Sequence, residues 1–371
     1  MSALRVVTVV GARPQFIKAA VVSRALRAAG SDTVEEKLVH TGQHYDDNMS
    51  DVFFTELDIP PPSHHLGVSG GTHGAMTGQM LERVERVLMD GRPDLVLVYG
   101  DTNSTLAGAL AAVKLQIPVA HVEAGLRSGN LAMPEEVNRI LTDRISRWLF
   151  CPTAVAVSHL AHEGVPAERI HRVGDVMFDA ALYYRDQAAA SRASRELDSR
   201  YPEGFCLATV HRAENTDDPV RLGGIVNALE EVAATTPVVM PLHPRTRARL
   251  AAAQIGVRRI EVLEPVGYLD MLGLLGSCRC VFTDSGGLQK EAFFFHKPCI
   301  TMRSETEWTE LVELGVNVVA GTDSHAIVAA WRALRGAQPD WDQKPYGDGA
   351  AGSRIAEVLL RDHQAGARPS G

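Results

Sequence analysis

Long hydrophobic runs, clustered basic residues and paired cysteines are all missing from this sequence of 371 residues. No apolar stretch approaches the roughly twenty residues that span a membrane, and the N-terminus lacks the charged region and cleavage site of a signal peptide. A net charge of −8 without any basic stripe argues against nucleic acid as a partner. We therefore expect a soluble, cytoplasmic protein that binds neither membranes nor nucleic acids.

The five cysteines are an odd number at scattered spacings, each within an apolar context such as "WLFCPT". This pattern is typical of reduced core thiols rather than of disulfide bonds. Cys278 and Cys280 form a close pair, but no second cysteine or histidine pair accompanies them. The sequence therefore gives only a weak metal signal.

What the sequence does contain is a repeated alternation of short apolar runs and helical segments. "LRVVTVV" leads into "PQFIKAAVVSRALRAAG", and "DLVLVYG" leads into "TNSTLAGALAAVKLQ". Such alternation predicts an α/β fold with parallel sheets covered on both faces. Because the pattern restarts after residue 200, we predict two doubly wound, Rossmann-like domains. They span residues 1–172 and 173–351, and a C-terminal helix over about 352–364 packs back on the first domain.

In open parallel sheets, ligands bind beyond the carboxyl ends of the strands. In the first half, Arg13 and Lys18 follow a glycine turn that is not a dinucleotide-binding fingerprint, and they could simply be a solvated helix start. Asp101 ends an apolar strand as a catalytic carboxylate or as a helix cap. Glu123 follows the next strand, where a charge is costly unless it is paired or used. Glu135 opens a helix, which the helix dipole alone explains.

Two strand ends in the second half carry histidine with arginine. His211 follows "LATV", and His243 with Arg245 follows "VVMPL". A surface arginine or a core histidine is the structural alternative at each place. Two such strand ends favour a site for an anion.

The stretch "TDSGGLQKEAFFF" combines a strand end, a glycine turn and a helix start. Ser285, Gly286 and Gly287 therefore predict a phosphate site made of backbone amides at a helix N-terminus. Glu291, one turn into the helix, could accept hydrogen bonds from a ribose diol. The alternative for Glu291 is a surface ion pair with Lys290 or Lys297.

Taken together, these motifs resemble the non-hydrolysing UDP-N-acetylglucosamine 2-epimerase family over nearly the whole chain. The segments that carry the resemblance are "GARPQFIK", "HTGQHYDDNMS", "GDTNST", "HVEAGLRS", "MPEEVNR", "VHRAEN", "TDSGGLQKEAFFFHKP" and "TEWTELVELGVN". The resemblance implies two Rossmann-like domains in a glycosyltransferase-B-like arrangement, with a UDP-sugar substrate in the cleft between them. It also implies a homodimer that uses neither a redox cofactor nor a metal.

The resemblance further implies a role for each candidate residue. Catalysis would involve Arg13, Lys18, Asp101, Glu123, Glu135 and His211. Substrate binding would involve His243, Arg245, Pro265, Tyr268, Ser285, Gly286, Gly287 and Glu291, with uracil stacked near Pro265 and Tyr268. The expected reaction is the reversible conversion of UDP-N-acetylglucosamine to UDP-N-acetylmannosamine through 2-acetamidoglucal and UDP.

The chain departs from the family where some bacterial members bind a second substrate molecule as an activator. The segments "GQHYDDNMS" and "GVSGGTHGAMTGQM" lack the residues of that second site, so we expect it to be incomplete. The variants "TEWTELVELG" and "GQHYD" are closer to archaeal enzymes and to epimerases of UDP-2,3-diacetamido-glucuronic acid. The alternatives are therefore that related substrate, a UDP-sugar glycosyltransferase, a hydrolysing epimerase, and a sensor without activity.

Overall fold

The computed structural model of the protein describes residues 3–30, 32–43, 54, 58–59, 61–337 and 339–366. The chain forms two compact units, Met1–Ala180 with Lys344–Gly371 (unit 1) and Ala181–Gln343 (unit 2). The fold class predicted from the sequence is confirmed, because each unit is a parallel sheet with interleaved helices. The domain limits drawn from the sequence stay predictions. None of the helices in the described ranges is both long enough and apolar enough to cross a membrane.

Within the described residues, the sheet of unit 1 has seven parallel strands, numbered in chain order with the ranges given below. Their order across the sheet is β3-β2-β1-β4-β5-β6-β7. The order reverses at β1, which has β2 on one side and β4 on the other. Such a reversal leaves a crevice at the carboxyl ends of the central strands, where ligands bind in this class of fold. The strands are Leu4–Val10 (β1), Val34–His40 (β2), His64–His65 (β3), Leu95–Tyr99 (β4), Val119–Val122 (β5), Trp148–Cys151 (β6) and Ile170–Arg172 (β7).

Three helices of unit 1 begin at a threonine that caps the helix N-terminus. Thr72, Thr102 and Thr153 each accept a hydrogen bond from the amide three residues ahead. The helices are Arg13–Ala28 (α1), His73–Gly91 (α2), Asn103–Lys114 (α3), Pro134–Ile145 (α4), Ala154–His162 (α5), Val176–Ala189 (α6, which continues into unit 2) and Ala351–Gln364 (α15), with a 3₁₀ turn at Ala167–Arg169.

Helix α15 returns to unit 1 and packs against α1. The approach is close at Gly352, where an added Cβ would lie 2.7 Å from Cγ1 of Val21. The amide of Gly352 also donates to Oδ2 of Asp179 at 2.9 Å. The end of the chain is therefore part of unit 1.

The sheet of unit 2 has six parallel strands in the order β10-β9-β8-β11-β12-β13. They are Cys206–Thr209 (β8), Val238–Pro241 (β9), Glu261–Leu263 (β10), Cys280–Thr283 (β11), Cys299–Thr301 (β12) and Asn317–Val319 (β13). The helices are Arg192–Arg200 (α7), Ala213–Thr216 (α8), Pro219–Ala233 (α9), Pro244–Ala252 (α10), Tyr268–Ser277 (α11), Gly286–Phe294 (α12), Thr309–Glu313 (α13) and Ser324–Leu334 (α14).

All five cysteines are buried free thiols, as the sequence predicts. Burial raises the pKa of the Cys206 thiol to about 11 and that of Cys278 to about 12. Thiols with such pKa values are poor nucleophiles at neutral pH, so they act as core residues.

Candidate active site

The turn that follows β1 is fixed by one buried side chain, Gln15. Its Oε1 accepts hydrogen bonds from the amides of Gly11 (2.8 Å) and Ala12 (3.0 Å). Its Nε2 donates to the carbonyl oxygen of Tyr99 and to Oγ1 of Thr105, both at 2.9 Å. Gln15 therefore ties the start of α1 to the end of β4, which holds the two strand ends in one rigid platform.

Two carboxylates and two cations meet on this platform. Nζ of Lys18 forms an ion pair with Oε2 of Glu123, and both side chains are buried. Nη2 of Arg139 lies 2.5 Å from Oδ2 of Asp101 and 3.8 Å from Oε2 of Glu123. The side chain of Asp101 is 32% exposed, so it is the open member of the group. We call Lys18, Asp101, Glu123 and Arg139 the carboxylate cluster.

The charges within the cluster support one another. Burial by itself would lower the pKa of Arg139, but the nearby carboxylates of Asp101 and Glu123 outweigh it, and the pKa is raised. Arg139 is therefore a fixed positive charge. The removal of one partner from a buried pair leaves the other charge uncompensated, so the cluster depends on all of its members.

The backbone beneath the cluster is strained. Glu123 has φ +71°, a left-handed conformation that a residue with a Cβ rarely adopts. Its amide donates to the carbonyl oxygen of Phe150 at 3.1 Å, and its own carbonyl accepts from Nη1 of Arg139. Strain of this kind persists only where the surroundings fix the backbone, and it is common in active sites.

Two predicted catalytic residues of unit 1 lie outside the carboxylate cluster. Glu135 is exposed in the first turn of α4 and has no ion pair within the described part of the chain. Its neighbour Glu136 is buried instead and accepts from the amides of Ser128 (2.9 Å) and Gly129 (3.0 Å), which fixes the preceding loop. Arg13 is partly buried at the first residue of α1.

Unit 2 presents backbone amides at the start of α12. Ser285 caps the helix, and its Oγ accepts from the amide of Leu288 at 3.4 Å. Across the described ranges, the amides of Gly286 and Gly287 meet no acceptor. Such free amides at the positive end of a helix suit a phosphate group. A Cβ added at Gly286 would lie 2.3 Å from Oε1 of Glu307, so the Glu307 carboxylate would have to move.

Beside this helix start, buried Asp284 orients His211. Oδ2 of Asp284 accepts from the amides of His211 (3.1 Å) and Arg212 (3.0 Å), and its Oδ1 lies 3.2 Å from Nδ1 of His211. Burial would raise the pKa of Asp284, but the hydrogen bond and charge of His211 outweigh it, and the pKa is lowered. The His211 side chain is 49% exposed, so its other ring nitrogen can reach a ligand. We call His211, Asp284, Ser285, Gly286 and Gly287 the anion cluster.

Three of the other predicted binding residues of unit 2 already contact other groups of the protein. His243 caps α10 through Nδ1, and Arg245 is already paired with both oxygens of Asp217 at 2.9 and 2.7 Å. Pro265 is exposed, but Tyr268 is 4% exposed and its ring packs edge-on against Tyr184 with centroids 6.2 Å apart. The stacking of uracil near Pro265 and Tyr268 stays a prediction, and Pro265 is the member of the pair that is open to a ligand.

Glu291 lies buried on α12, one turn after Gly286 and Gly287. Its contact with the ribose stays a prediction. The predicted gap in the second substrate site falls partly on residues 44–50, which lie outside the described residues. Among the residues that are described, no three His, Cys, Asp or Glu side chains are grouped as they would be to hold a metal ion.

Arg139 and Asp284 have functional positions that the sequence reading missed. The sequence held a signal for each of them. Arg139 follows Glu135 by one helical turn in "MPEEVNR". Asp284 is an acidic residue that directly follows the strand Cys280–Thr283. The strand-end rule that selected Asp101 and Glu123 applies equally to Asp284.

Comparison with known proteins identifies the family to which this chain is similar. The profile of the UDP-N-acetylglucosamine 2-epimerase family matches residues 26–360. A UDP-2,3-diacetamido-2,3-dideoxy-D-glucuronate 2-epimerase of Pseudomonas aeruginosa is 54% identical over 96% of this chain and 100% of its own length. The structure of Methanocaldococcus jannaschii UDP-GlcNAc 2-epimerase with UDP-GlcNAc and UDP has TM-score 0.87 and 40% identity, covering 97% of this chain and 99% of that one. The structure of Neisseria meningitidis UDP-GlcNAc 2-epimerase bound to UDP-GlcNAc has TM-score 0.86 and 31% identity, and the match covers 96% of this chain and 100% of that one.

Proposed function

The chain belongs to the UDP-N-acetylglucosamine 2-epimerase family, and we propose that it inverts C2 of a UDP-linked 2-acetamido sugar by eliminating UDP and adding it back. The protein is thus an isomerase. The observation that carries the proposal is the carboxylate cluster, in which two acidic groups are held by fixed cations at the strand ends of unit 1.

The reaction explains why more than one carboxylate is required. The C2 proton of the intact sugar is not acidic, because C1 is an acetal carbon rather than a carbonyl. When the C1–O bond breaks, its electron pair leaves with UDP and C1 becomes oxocarbenium-like. A carboxylate then takes the C2 proton, and the C1=C2 double bond of a 2-acetamidoglucal forms. Proton return to the opposite face and readdition of UDP give the epimer.

In unit 1, we assign proton transfer and stabilisation of the oxocarbenium to Asp101, Glu123 and Glu135. Asp101 is open enough to meet the sugar, and Glu123 is buried beside Lys18. A fixed negative charge stabilises developing positive charge best when water is excluded. Glu135 is the exposed third carboxylate, at the start of α4.

In unit 2, we assign the UDP to the anion cluster. The amides of Gly286 and Gly287 bind the diphosphate, and Glu291 accepts from the ribose hydroxyls. His211, which Asp284 orients, donates a hydrogen bond to the departing phosphate. Positive groups that are placed before the C1–O bond breaks lower the energy of the UDP anion, which gains one negative charge as it leaves.

Two substrates are candidates. UDP-N-acetylglucosamine is the substrate named for the archaeal and Neisseria relatives, at 40% and 31% identity. The 54% identity to the Pseudomonas relative favours UDP-2,3-diacetamido-2,3-dideoxyglucuronate as the preferred substrate of the same reaction. The ratio of kcat/KM for the two nucleotides decides between them.

The reaction itself is tested by incubation of the protein with each nucleotide in D₂O. We expect the epimer with deuterium at C2, because the proton on the carboxylate exchanges with solvent before it returns. Traces of UDP and of the glycal should accumulate with time. Epimer without deuterium would contradict the elimination. Transfer to an acceptor without C2 exchange would identify a glycosyltransferase, and UDP binding without reaction would identify a sensor.

We also propose that the protein acts in the cytoplasm as a homodimer. Five unpaired thiols are typical of proteins from a reducing compartment. Val137 and Leu141 are exposed one turn apart on α4 and form a small apolar surface that a second copy could cover. Light scattering should give twice the chain mass of 40.1 kDa, and a mass of one chain would contradict the dimer.

A further inference from the structure

His121 in β5 is fully buried, and none of the roles assigned above uses it. Its ring contacts an acceptor on each side. Nε2 lies 2.7 Å from the carbonyl oxygen of Gly100, and Nδ1 lies 2.7 Å from Oδ1 of Asp143. A carbonyl oxygen can only accept a hydrogen bond, so Nε2 must carry a hydrogen. The charge of the ring then depends on whether Asp143 or Nδ1 holds the second hydrogen.

The partners of Asp143 assign that hydrogen to histidine. Oδ2 of Asp143 accepts from the amide of Gly125 (3.1 Å) and from Nη1 of Arg127 (2.8 Å), while Oδ1 faces His121. Burial would raise the pKa of Asp143, but His121 and Arg127 outweigh it, and the pKa is lowered. In water a carboxyl group holds its proton more weakly than an imidazolium, and the Arg127 and Gly125 donors keep that order for the buried pair. Asp143 is therefore ionised, and Nδ1 of His121 is protonated.

The other charges around this pair agree with an ionised Asp143. Arg127 also binds Glu163, with its Nε 2.7 Å from Oε1, so its charge is shared between Asp143 and Glu163. The further charges that act on Asp143 are the cations Arg139 on α4 and Arg169 on the 3₁₀ turn. Both favour a negative Asp143.

We propose that His121 is a positioning residue that carries a hydrogen on each ring nitrogen and whose Nε2–H fixes the Gly100 carbonyl and thereby aims the carboxylate cluster. The part of the proposal that concerns catalysis rests on the proposed function. The part that concerns the charge of His121 does not.

Gly100 is the link between His121 and the cluster. It has φ +64°, and an added Cβ would lie 3.3 Å from both Oε2 of Glu123 and Nζ of Lys18. Its amide donates to the carbonyl oxygen of Val122 at 3.0 Å, and its carbonyl accepts from His121. The backbone before Asp101 is thus held by β5 on one side and lies against the Lys18–Glu123 pair on the other. Loss of the His121 bond frees this residue to move.

The charge is tested by NMR of the whole protein with ¹⁵N-labelled imidazole rings. The chain has 14 histidines, so the His121 signals are assigned by their loss in the His121→Gln variant. We expect both ring nitrogens of His121 to show the shifts of N–H groups at neutral pH. A ring that shows one unprotonated nitrogen at this pH overturns the proposal, whatever the activity of the protein.

The positioning role is tested by two matched variants. In His121→Gln the amide nitrogen replaces Nε2 and can still donate to Gly100, whereas in His121→Asn it replaces Nδ1 and can donate only to Asp143. We expect kcat to fall about 100-fold in His121→Asn and less than about 10-fold in His121→Gln, because a misplacement of about 1 Å has effects of this size. KM and the affinity for UDP should hardly change in either variant.

Equal loss of kcat in the two variants, at equal thermal stability and unchanged UDP binding, would overturn the positioning role. If one variant does not fold, the His121 signals are assigned by their loss in the other, and the NMR result on the unmodified protein still decides the charge. Absence of epimerisation by the unmodified protein would instead overturn the proposed function, and the NMR result would be unaffected.

Discussion

The two clusters at the strand ends differ in how their charges are satisfied. In unit 1, Lys18 faces Glu123 and Arg139 faces Asp101, so the charges are balanced without any ligand. In unit 2, within the residues described, Gly286 and Gly287 offer amides that have no acceptor. The first cluster is complete before the substrate arrives, whereas the second is completed by an anion.

This difference indicates that one cluster acts mainly on the transition state and the other mainly on substrate binding. A ligand charge that fills an open site is bound equally in the ground state and the transition state, which lowers KM without raising kcat. A prearranged set of charges with a strained backbone instead acts on charge that appears only during the reaction. We therefore expect substitutions in the carboxylate cluster to change kcat and those at the diphosphate and ribose contacts of unit 2 to change the affinity for UDP. His211 is the exception, because its hydrogen bond to the departing phosphate strengthens as the C1–O bond breaks.

The largest expected effect is the loss of C2 exchange on removal of a carboxylate from unit 1. Asp101→Asn and Glu123→Gln should each lower the rate of deuterium incorporation by about 10²–10⁴-fold, because proton transfer by a positioned group contributes this much. The affinity for UDP, measured by calorimetry, should stay within about twofold of the unmodified protein. A loss of UDP affinity as large as the loss of rate would break the division between the units.

The next effect is on stability rather than on rate. Lys18→Met leaves Glu123 buried without its partner, and both side chains are only 9% exposed. The variant should lose about 3–5 kcal/mol of unfolding free energy, measured by urea denaturation. Lys18→Met combined with Glu123→Leu should regain most of that loss yet remain inactive. If the double variant is no more stable than Lys18→Met, the pair does not contribute as we describe.

The sequence predicted both sheets, because continuous apolar strands alternating with helices admit few other arrangements. It also predicted Lys18, Asp101 and Glu123 as candidates, since each lies where a strand ends or a helix begins. It could not predict that Lys18 pairs with Glu123, because these residues are 105 positions apart and only the register of β1, β4 and β5 brings them together.

The same limit applies to the binding residues predicted in unit 2. Tyr268 opens α11, and nothing in "EPVGYLDML" shows that its ring is covered by Tyr184 of a distant helix. Arg245 reads as a phosphate ligand until Asp217, 28 residues earlier in the chain, is found beside it. Local motifs identify the side chains at a strand end, but the packing decides which of them remain available to a ligand.

A smaller effect is expected for the ribose contact of unit 2. Glu291→Gln should weaken UDP binding by about 1.5–3 kcal/mol, the usual contribution of hydrogen bonds to a charged group. The value of kcat at saturating substrate should be nearly unchanged. Glu313→Gln, at the exposed end of α13 in the same unit, is the matched control and should bind UDP normally. A reduced kcat with normal UDP affinity in Glu291→Gln would place this residue in the chemistry instead.

The smallest effect is a difference in salt dependence between two buried aspartates, one in each unit, and it is measured through their contributions to acid stability. The pKa of Asp143 is lowered chiefly by its hydrogen bond to His121, and that of Asp284 by its hydrogen bond to His211, in both cases against the effect of burial. A carboxylate with a lowered pKa in the folded state stabilises the protein above the unfolded pKa of about 4 and loses that contribution as the pH falls further. Asp143→Asn and Asp284→Asn should therefore be less stable than the unmodified protein at neutral pH, by about 1.5–3 kcal/mol.

This difference should shrink below about pH 4, because protonation then removes the same charge from the unmodified protein. Thermal unfolding across this range measures the difference, with the exposed Asp90→Asn on α2 as control. The two sites should diverge in one respect. His121 is closed off from solvent, whereas His211 is half exposed, so salt should weaken the Asp284 contribution more than that of Asp143. Equal salt dependence at the two aspartates would mean that the surroundings of Asp284 are as enclosed as those of Asp143, and this contrast between the units would fail.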